Sequence, residues 1–242
     1  MLVNLVPSAS AAIDFATASL ARPRPEKKPA PVAPDVIDPV ARTQISLEYA
    51  SLQYKDHCPL GMYVVPSPET LMVWDAVFFV HQGYYADAIF KFRLTFPNNY
   101  PEAPPVVQFM TDVVFHPLIS HTGIFNLAPR FRPWRPKEHR VFDVLHWIKT
   151  AFKKHALDEI KESDCLNKEA YRYHESTSSF AGLASQSSLL SQSAPALFDR
   201  DHPSMKGKPR DAMPFRELPP EQLQLQRKKI GLQECAEDKE HP

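Results

Sequence analysis

The chain holds few of the residues that most often carry chemistry. Its three cysteines, Cys58, Cys165 and Cys235, are odd in number and far apart, with no C-x-x-C spacing. That excludes a disulfide framework and gives no zinc site. Reduced thiols in a cytosolic setting are the simpler reading. Glycine is scarce, 6 residues against 25 prolines, and neither G-x-G-x-x-G nor G-K-[ST] occurs. Glycine-rich phosphate cradles are therefore excluded. Neither sign of charge is in excess, with 28 Lys+Arg against 28 Asp+Glu, so nothing pulls the whole chain towards nucleic acid or an anionic membrane. The 10 histidines include no H-E-x-x-H; His139, His146 and His155 lie in or beside one helical pattern but not at ligand spacing. No metal and no cofactor are expected. No apolar run reaches about 18 residues, so no membrane-inserting helix is expected. The apolar start, Met1 to Val6, lacks a preceding basic residue and is broken by Pro7 and Asp14, which argues against a signal peptide. Basic residues begin only at Arg22, which weighs against a mitochondrial presequence. A cytoplasmic location follows as the expectation.

What is present falls into blocks. Residues 1–41 form a Pro-rich N-terminal tail expected to be disordered, with seven prolines in the first forty positions, because such a segment stays extended and buries no core. Residues 42–174 carry the periodic patterns. Residues 175–196, with eight serines between Ser176 and Ser193, read as a linker. Residues 197–242 read as a C-terminal tail. In that tail the stretch from Pro219, with Leu223, Leu225, Ile230 and Leu232, fits a docking helix and a frayed end about equally.

Within the periodic block, Ile45, Tyr49 and Leu52 recur at helical spacing and predict a helix over Arg42–Tyr54. Short strands are predicted at Met62–Val65, Leu71–Val80 and Val106–Met110. The clearest is Ile89–Phe96, where Phe90, Phe92, Leu94 and Phe96 fall on one face and Lys91, Arg93 and Thr95 on the other. That alternation predicts an antiparallel sheet with one side in water, and the short connections predict a four-stranded meander. Val141, Leu145, Ile148 and Phe152 line one stripe of a helix over Val141–Lys154, expected to back the sheet. Leu166–His174 predicts a further short helix. The order of elements is that of an α+β fold.

Between the last two strands lies Phe96-Pro97-Asn98-Asn99-Tyr100-Pro101-Glu102-Ala103-Pro104-Pro105, in which four prolines fix φ and supply no N–H. Then come Phe115-His116-Pro117, Gly123 and Trp134-Arg135-Pro136. The pattern F-P-x-x-Y-P-x-x-P-P, then H-P, then W-x-P, resembles the ubiquitin-conjugating enzyme family, and the order of elements resembles that UBC fold. In that family the nucleophilic cysteine stands ten residues after the histidine, three after a glycine and eight before the tryptophan. Counted from His116, Gly123 and Trp134, all three point to position 126, which is Asn126. A carboxamide forms no thioester, whereas a thiolate does. The family's asparagine after His-Pro is Leu118 here, which offers no polar donor to an oxyanion or to the loop. Cys58 and Cys165 lie outside the loop after His116-Pro117, so neither is expected to stand in as the nucleophile.

Leu60-Gly61-Met62-Tyr63-Val64-Val65-Pro66-Ser67, Gln82-Gly83-Tyr84-Tyr85 and Val114-Phe115-His116-Pro117-Leu118 resemble, more narrowly, the fused-toes (AKTIP) and crossbronx group of non-catalytic members. The resemblance implies a cytosolic adaptor, not an enzyme. Its implied partners are a Hook-type coiled-coil protein and a Hook-interacting scaffold, in an assembly linking endosomes to dynein-driven transport. Ubiquitin as a partner stays open, as do an accessory variant assisting an active conjugating enzyme and an enzyme with a displaced cysteine. Tyr100, Pro101, Pro104, Pro105, His116, Pro117 and Trp134 are expected to be structural. Leu197, Phe198, Phe215 and Leu223, apolar residues in a polar tail, are candidate anchors, either folded back on the domain or inserted into a partner. Arg130–Arg140, with five Lys/Arg and one Glu, reads as a solvated loop ahead of an acidic-partner site.

Overall fold

A computed structural model describes residues 38–110, 114–172, 176–198, 213 and 215–231. The N-terminal tail up to residue 37 and Cys235 lie outside the described residues. In chain order the elements are α1 (Pro39–Ser51), β1 (Met62–Pro66), β2 (Val73–Phe79), β3 (Ile89–Thr95), β4 (Val106–Phe109), α2 (Val141–Ala151), α3 (Lys154–Glu159), a 3₁₀ turn (Glu162–Asp164), α4 (Lys168–Tyr171), α5 (Thr177–Ser191), α6 (Ala194–Leu197) and α7 (Pro220–Lys229). The strands form one sheet in the order β1-β2-β3-β4, every pair antiparallel, which is the expected meander.

The register places Trp74 opposite Leu94, Ala76 opposite Phe92 and Phe78 opposite Phe90. These side chains form the inner face, all buried, against the stripe Val141, Val144, Leu145 and Ile148 of α2. Phe152 closes the layer, with its ring 5.3 Å from Phe90 and 5.7 Å from Phe78.

Five expectations need correction. α1 begins at Pro39, not Arg42. The Asp38 side chain accepts from Val40 N–H at 3.0 Å, and proline in the first turn gives up an N–H with no intrahelical partner. Pro39 is thus a helix start rather than part of the tail. The helix from Val141 stops at Ala151, and α3 starts at Lys154. The stop coincides with the Ala151 carbonyl, which His116 takes up at 3.0 Å. The short helix expected over Leu166–His174 is α4, which starts only at Lys168 and spans Lys168–Tyr171; residues 173 and 174 lie outside the described residues. The outer face of β3 is not wet, since Lys91 and Arg93 are 6% and 9% exposed. Arg93 pairs with the cross-strand Asp75 at 2.7 Å. Lys91 donates to the Leu197 carbonyl at 2.9 Å and lies over the Phe215 ring.

The fifth correction is the serine-rich segment. It is not a linker but the 15-residue helix α5. Phe180 and Ala184 dock it to the core, and Phe180 meets Tyr84, Tyr85 and Phe115 edge-on or tilted. Two of its inward serines are acceptors for backbone donors, while Ser188 donates to the Ala184 carbonyl within the helix. Ser187 Oγ takes Phe115 N–H at 3.1 Å, and Ser191 Oγ takes Ile89 N–H at 2.9 Å. A buried N–H without a partner costs about 1–3 kcal/mol, so serine is the residue this face needs. Composition hid that requirement.

Candidate functional site: the loop around Asn126

The loop after β4 is stitched to the sheet by backbone bonds. Phe109 N–H donates to the Gly123 carbonyl at 2.8 Å, and Phe125 N–H to the Val107 carbonyl at 2.9 Å. Gly123 has φ +80°, and a Cβ there would run into the Phe109 carbonyl oxygen. Only glycine fits the position. Leu118 and Asn126 face each other across the loop, with Asn126 N–H donating to the Leu118 carbonyl at 2.8 Å. The Leu118 side chain points into the core and is fully buried. It fixes the loop by apolar packing and aims nothing polar at position 126.

The Asn126 carboxamide is held at both ends. Its Nδ2 donates to the Asp164 carbonyl at 2.7 Å, and its Oδ1 accepts from Ala128 N–H at 2.9 Å. The segment carrying Asp164 is itself anchored, because Leu166 and Asn167 N–H both donate to the Pro117 carbonyl, at 2.9 and 3.0 Å. The stretch Glu162–Asn167 thus sits against Asn126.

This packing brings Cys165 nearer to the loop than its place in the sequence implies. The thiol is still poorly suited to attack. Burial, with the nearby Asp164 and Glu162 carboxylates, pushes it up to about 11, and its Sγ lies 3.3 Å from the Lys161 carbonyl. At neutral pH only about one molecule in ten thousand would carry the thiolate. Cys58 is raised too, by burial, and contacts the Met62 carbonyl at 3.4 Å.

His116 has no exposed surface. Its Nδ1 accepts from Leu118 N–H at 3.0 Å, which leaves Nε2 to donate to the Ala151 carbonyl at 3.0 Å. Burial pulls its pKa down to about 4. The ring is a neutral brace between the loop and the end of α2, not an acid or base. Trp134 Nε1 donates to the Pro101 carbonyl at 2.7 Å, and Phe131, Trp134 and His139 form an aromatic trio. Pro105 and Pro117 are buried, Pro101 and Pro104 half-buried.

Glu48 is a site residue that the sequence pattern does not single out. Almost wholly buried, it accepts from the Tyr100 hydroxyl at 3.0 Å and from Val141 N–H at 3.1 Å. It ties α1 to the Tyr-Pro turn and to the positive end of α2. Burial and the Glu48 carboxylate hold the Tyr100 hydroxyl well above its ordinary value. The available signal was a carboxylate falling within the apolar stripe of α1, beside Ala41 and Ile45.

The candidate anchors separate. Phe198 and Phe215 bridge to each other, and Lys91 on the sheet meets the Phe215 ring and the Leu197 carbonyl. Leu223 is exposed on α7. In the basic loop, Arg132, Arg135 and Lys137 are exposed, and Arg135 pairs with Glu138 at 2.8 Å, as suits a solvated loop. Among the described residues no group of His, Cys, Asp and Glu could hold a metal ion, and no helix is long and apolar enough to cross a membrane.

Residues 44–187 match the ubiquitin-conjugating enzyme family. The chain belongs to that family. Its relatives include a protein crossbronx homolog of Anopheles gambiae, 33% identical over 132 residues, covering 53% of this chain and 57% of that protein. The AKT-interacting protein of Danio rerio is 36% identical over 131 residues, covering 51% of this chain and 42% of that protein. An AKTIP homolog of Nematostella vectensis is 34% identical over 111 residues, covering 46% and 36%. The matches span about half the length of these relatives. The chain is thus a ubiquitin-conjugating variant of the fused-toes, AKTIP and crossbronx group. These relatives bear names that are not those of enzymes.

Proposed function

We propose that this chain is a non-catalytic adaptor on a ubiquitin-conjugating fold, working in the cytoplasm in a Hook-containing complex that links endosomes to dynein-driven transport. The observation that carries the non-catalytic reading is the double hydrogen bonding of Asn126 to Asp164 and Ala128. A carboxamide held at both ends, beside a buried leucine and a neutral histidine, supplies no nucleophile, no oxyanion donor and no proton carrier. The family retains its fold here and works through its surface.

Two experiments test the proposal. Incubated with ubiquitin, ATP and activating enzyme, the chain forms no adduct that reductant releases, and Asn126→Cys alone does not restore full transfer. A wild-type thioester lost on changing Cys165 or Cys58 to Ser would instead establish a displaced-cysteine enzyme. For the adaptor, the full chain retains the C-terminal coiled-coil region of a Hook protein together with its scaffold. Binding of neither would remove the adaptor reading and leave an accessory conjugating variant as the next one to test, by its effect on an active conjugating enzyme.

A further inference from the structure

The outer face of the sheet is sheltered by a part of the chain that is itself barely embedded. Lys91 and Arg93 share that face with their cross-strand neighbours Val77 and Asp75, and all four are buried. From Gln192 onward, by contrast, no described residue is buried. Leu197, Phe198 and Phe215 are half-buried, and α6 and α7 bury nothing. α5 is fastened up to its end, where Ser191 and Gln192 bond to the backbone of Ile89 and Asp87. Beyond it, the Leu197 carbonyl accepts from Lys91 at 2.9 Å, and the Phe215 ring centroid lies 4.8 Å from the same ammonium. Phe198 and Phe215 pair as an isolated parallel bridge.

We infer that the sheet face around Lys91 is a binding surface for an extended protein segment carrying an aromatic ring, and that the chain's own Phe215 segment occupies it when no such partner is present. The seated segment defines the partner's chemistry. Arg93 draws its counter-charge from the sheet itself, through Asp75 at 2.7 Å. Lys91 instead meets the C-terminal part of the chain, in a main-chain carbonyl and a ring face. A ring over an ammonium is favoured most where water is excluded. An outside segment with a carbonyl and an aromatic side chain at the same spacing supplies both.

Exchange of one segment for the other leaves the core intact. Lifting Phe215 opens no cavity between the sheet and α2, because the ring lies on the opposite face of the sheet and is only half-buried. The residues it uncovers are of types that ordinarily face water, and the Arg93–Asp75 pair stays whole. Tethering gives the chain's own segment an effective concentration of about a millimolar. An outside segment therefore needs a better-fitting ring or further contacts elsewhere. The surface is closed in the isolated chain and opens to a partner that engages the domain at more than one point. None of this depends on the Hook assembly.

The test uses the full chain, the variant Phe215→Ala and a synthetic peptide with the chain's own sequence Met213-Pro214-Phe215-Arg216-Glu217-Leu218-Pro219. Acetylation of Lys91 by a water-soluble acetyl ester, read by mass spectrometry, should run at least tenfold faster in Phe215→Ala than in wild type. The exposed Lys55 should react alike in both. Added to Phe215→Ala at up to ~5 mM, the scale of the tether's own effective concentration, the peptide should shift the amide resonances of Lys91 and Arg93 and slow the acetylation again. Wild type at the same peptide concentration should show less than a tenth of that shift. A peptide with Ala in place of its Phe should have no effect. The proposal is overturned if Lys91 reacts no faster in Phe215→Ala, if the peptide leaves the folded variant unchanged, or if wild type and variant respond to it alike. A peptide with Glu in place of Phe that binds more tightly also overturns it, since the surface would then select an acidic partner. So does an unfolding midpoint of Phe215→Ala lowered as far as by the core truncation Leu145→Ala, because the segment would then belong to the core.

Discussion

Helices α2 and α5 both pack on the same domain, yet they solve opposite problems. α2 buries Val141, Val144, Leu145 and Ile148 and turns Asp143 and Lys149 outward, so its stability comes from apolar area removed from water. α5 turns three leucines outward and spends buried positions on serine hydroxyls. It is held by Phe180 and Ala184 and by hydrogen bonds to donors that would otherwise be orphaned. A helix is therefore not always held by an apolar stripe alone: the N–H groups beneath it can decide which residues face inward.

The contrast breaks most sharply by truncating each helix where it is apolar. Leu145→Ala on α2 should cost about 2–5 kcal/mol in urea unfolding, because it opens a cavity in a packed core. The next largest effect belongs to His116, the brace at the end of α2. Its pKa is about 4 in the fold against about 6.5 unfolded. The unfolded state binds the proton first, so stability is lost as pH falls from about 6.5 and the loss is complete below about 4. The total is about 3 kcal/mol. A His116→Gln chain should lack that part of the slope when unfolding midpoints are compared across this range. On α5 the sensitive positions should be serines. Ser187→Ala and Ser191→Ala should each cost about 1–3 kcal/mol by stranding Phe115 N–H or Ile89 N–H, and faster exchange of those two amides would show it directly. Smallest of all, Leu183→Ala should change stability of the isolated chain by no more than about 0.5 kcal/mol. A loss as large as that of Leu145→Ala would mean that α5 is oriented as α2 is, and the contrast would fail.

The same contrast explains what the sequence discloses. α2 and β3 are legible because their partners are the common apolar core, so period alone finds the inner face. In the loop at 116–134 the spacing of His116, Gly123 and Trp134 around Asn126 is legible along the chain, whereas the contacts that hold them, Gly123 to Phe109 and Trp134 to Pro101, are not. α5 is not legible. Its acceptors serve donors 72 and 102 residues away, and serine-rich composition reads as linker when those donors are out of view. The buried state of Lys91 is hidden for the same reason, since its acceptor lies 106 residues further along. Glu48 is intermediate, a charge in an apolar stripe whose purpose becomes visible only with Tyr100 and Val141 in place. Where the carboxamide of Asn126 goes could not be read from spacing, because Asp164 follows it by 38 residues.

That last contact bears on what a single substitution can do. A cysteine placed at 126 would still face the Asp164 carbonyl on a segment bonded to Pro117. Freeing the side chain at 126 would require that segment to be lifted, and exposing a polar group beside it would require Leu118 to leave the core. Meanwhile each present contact contributes to the stability of the fold, so loosening any one of them costs stability first. The contact acts as a latch that a single substitution at 126 leaves closed.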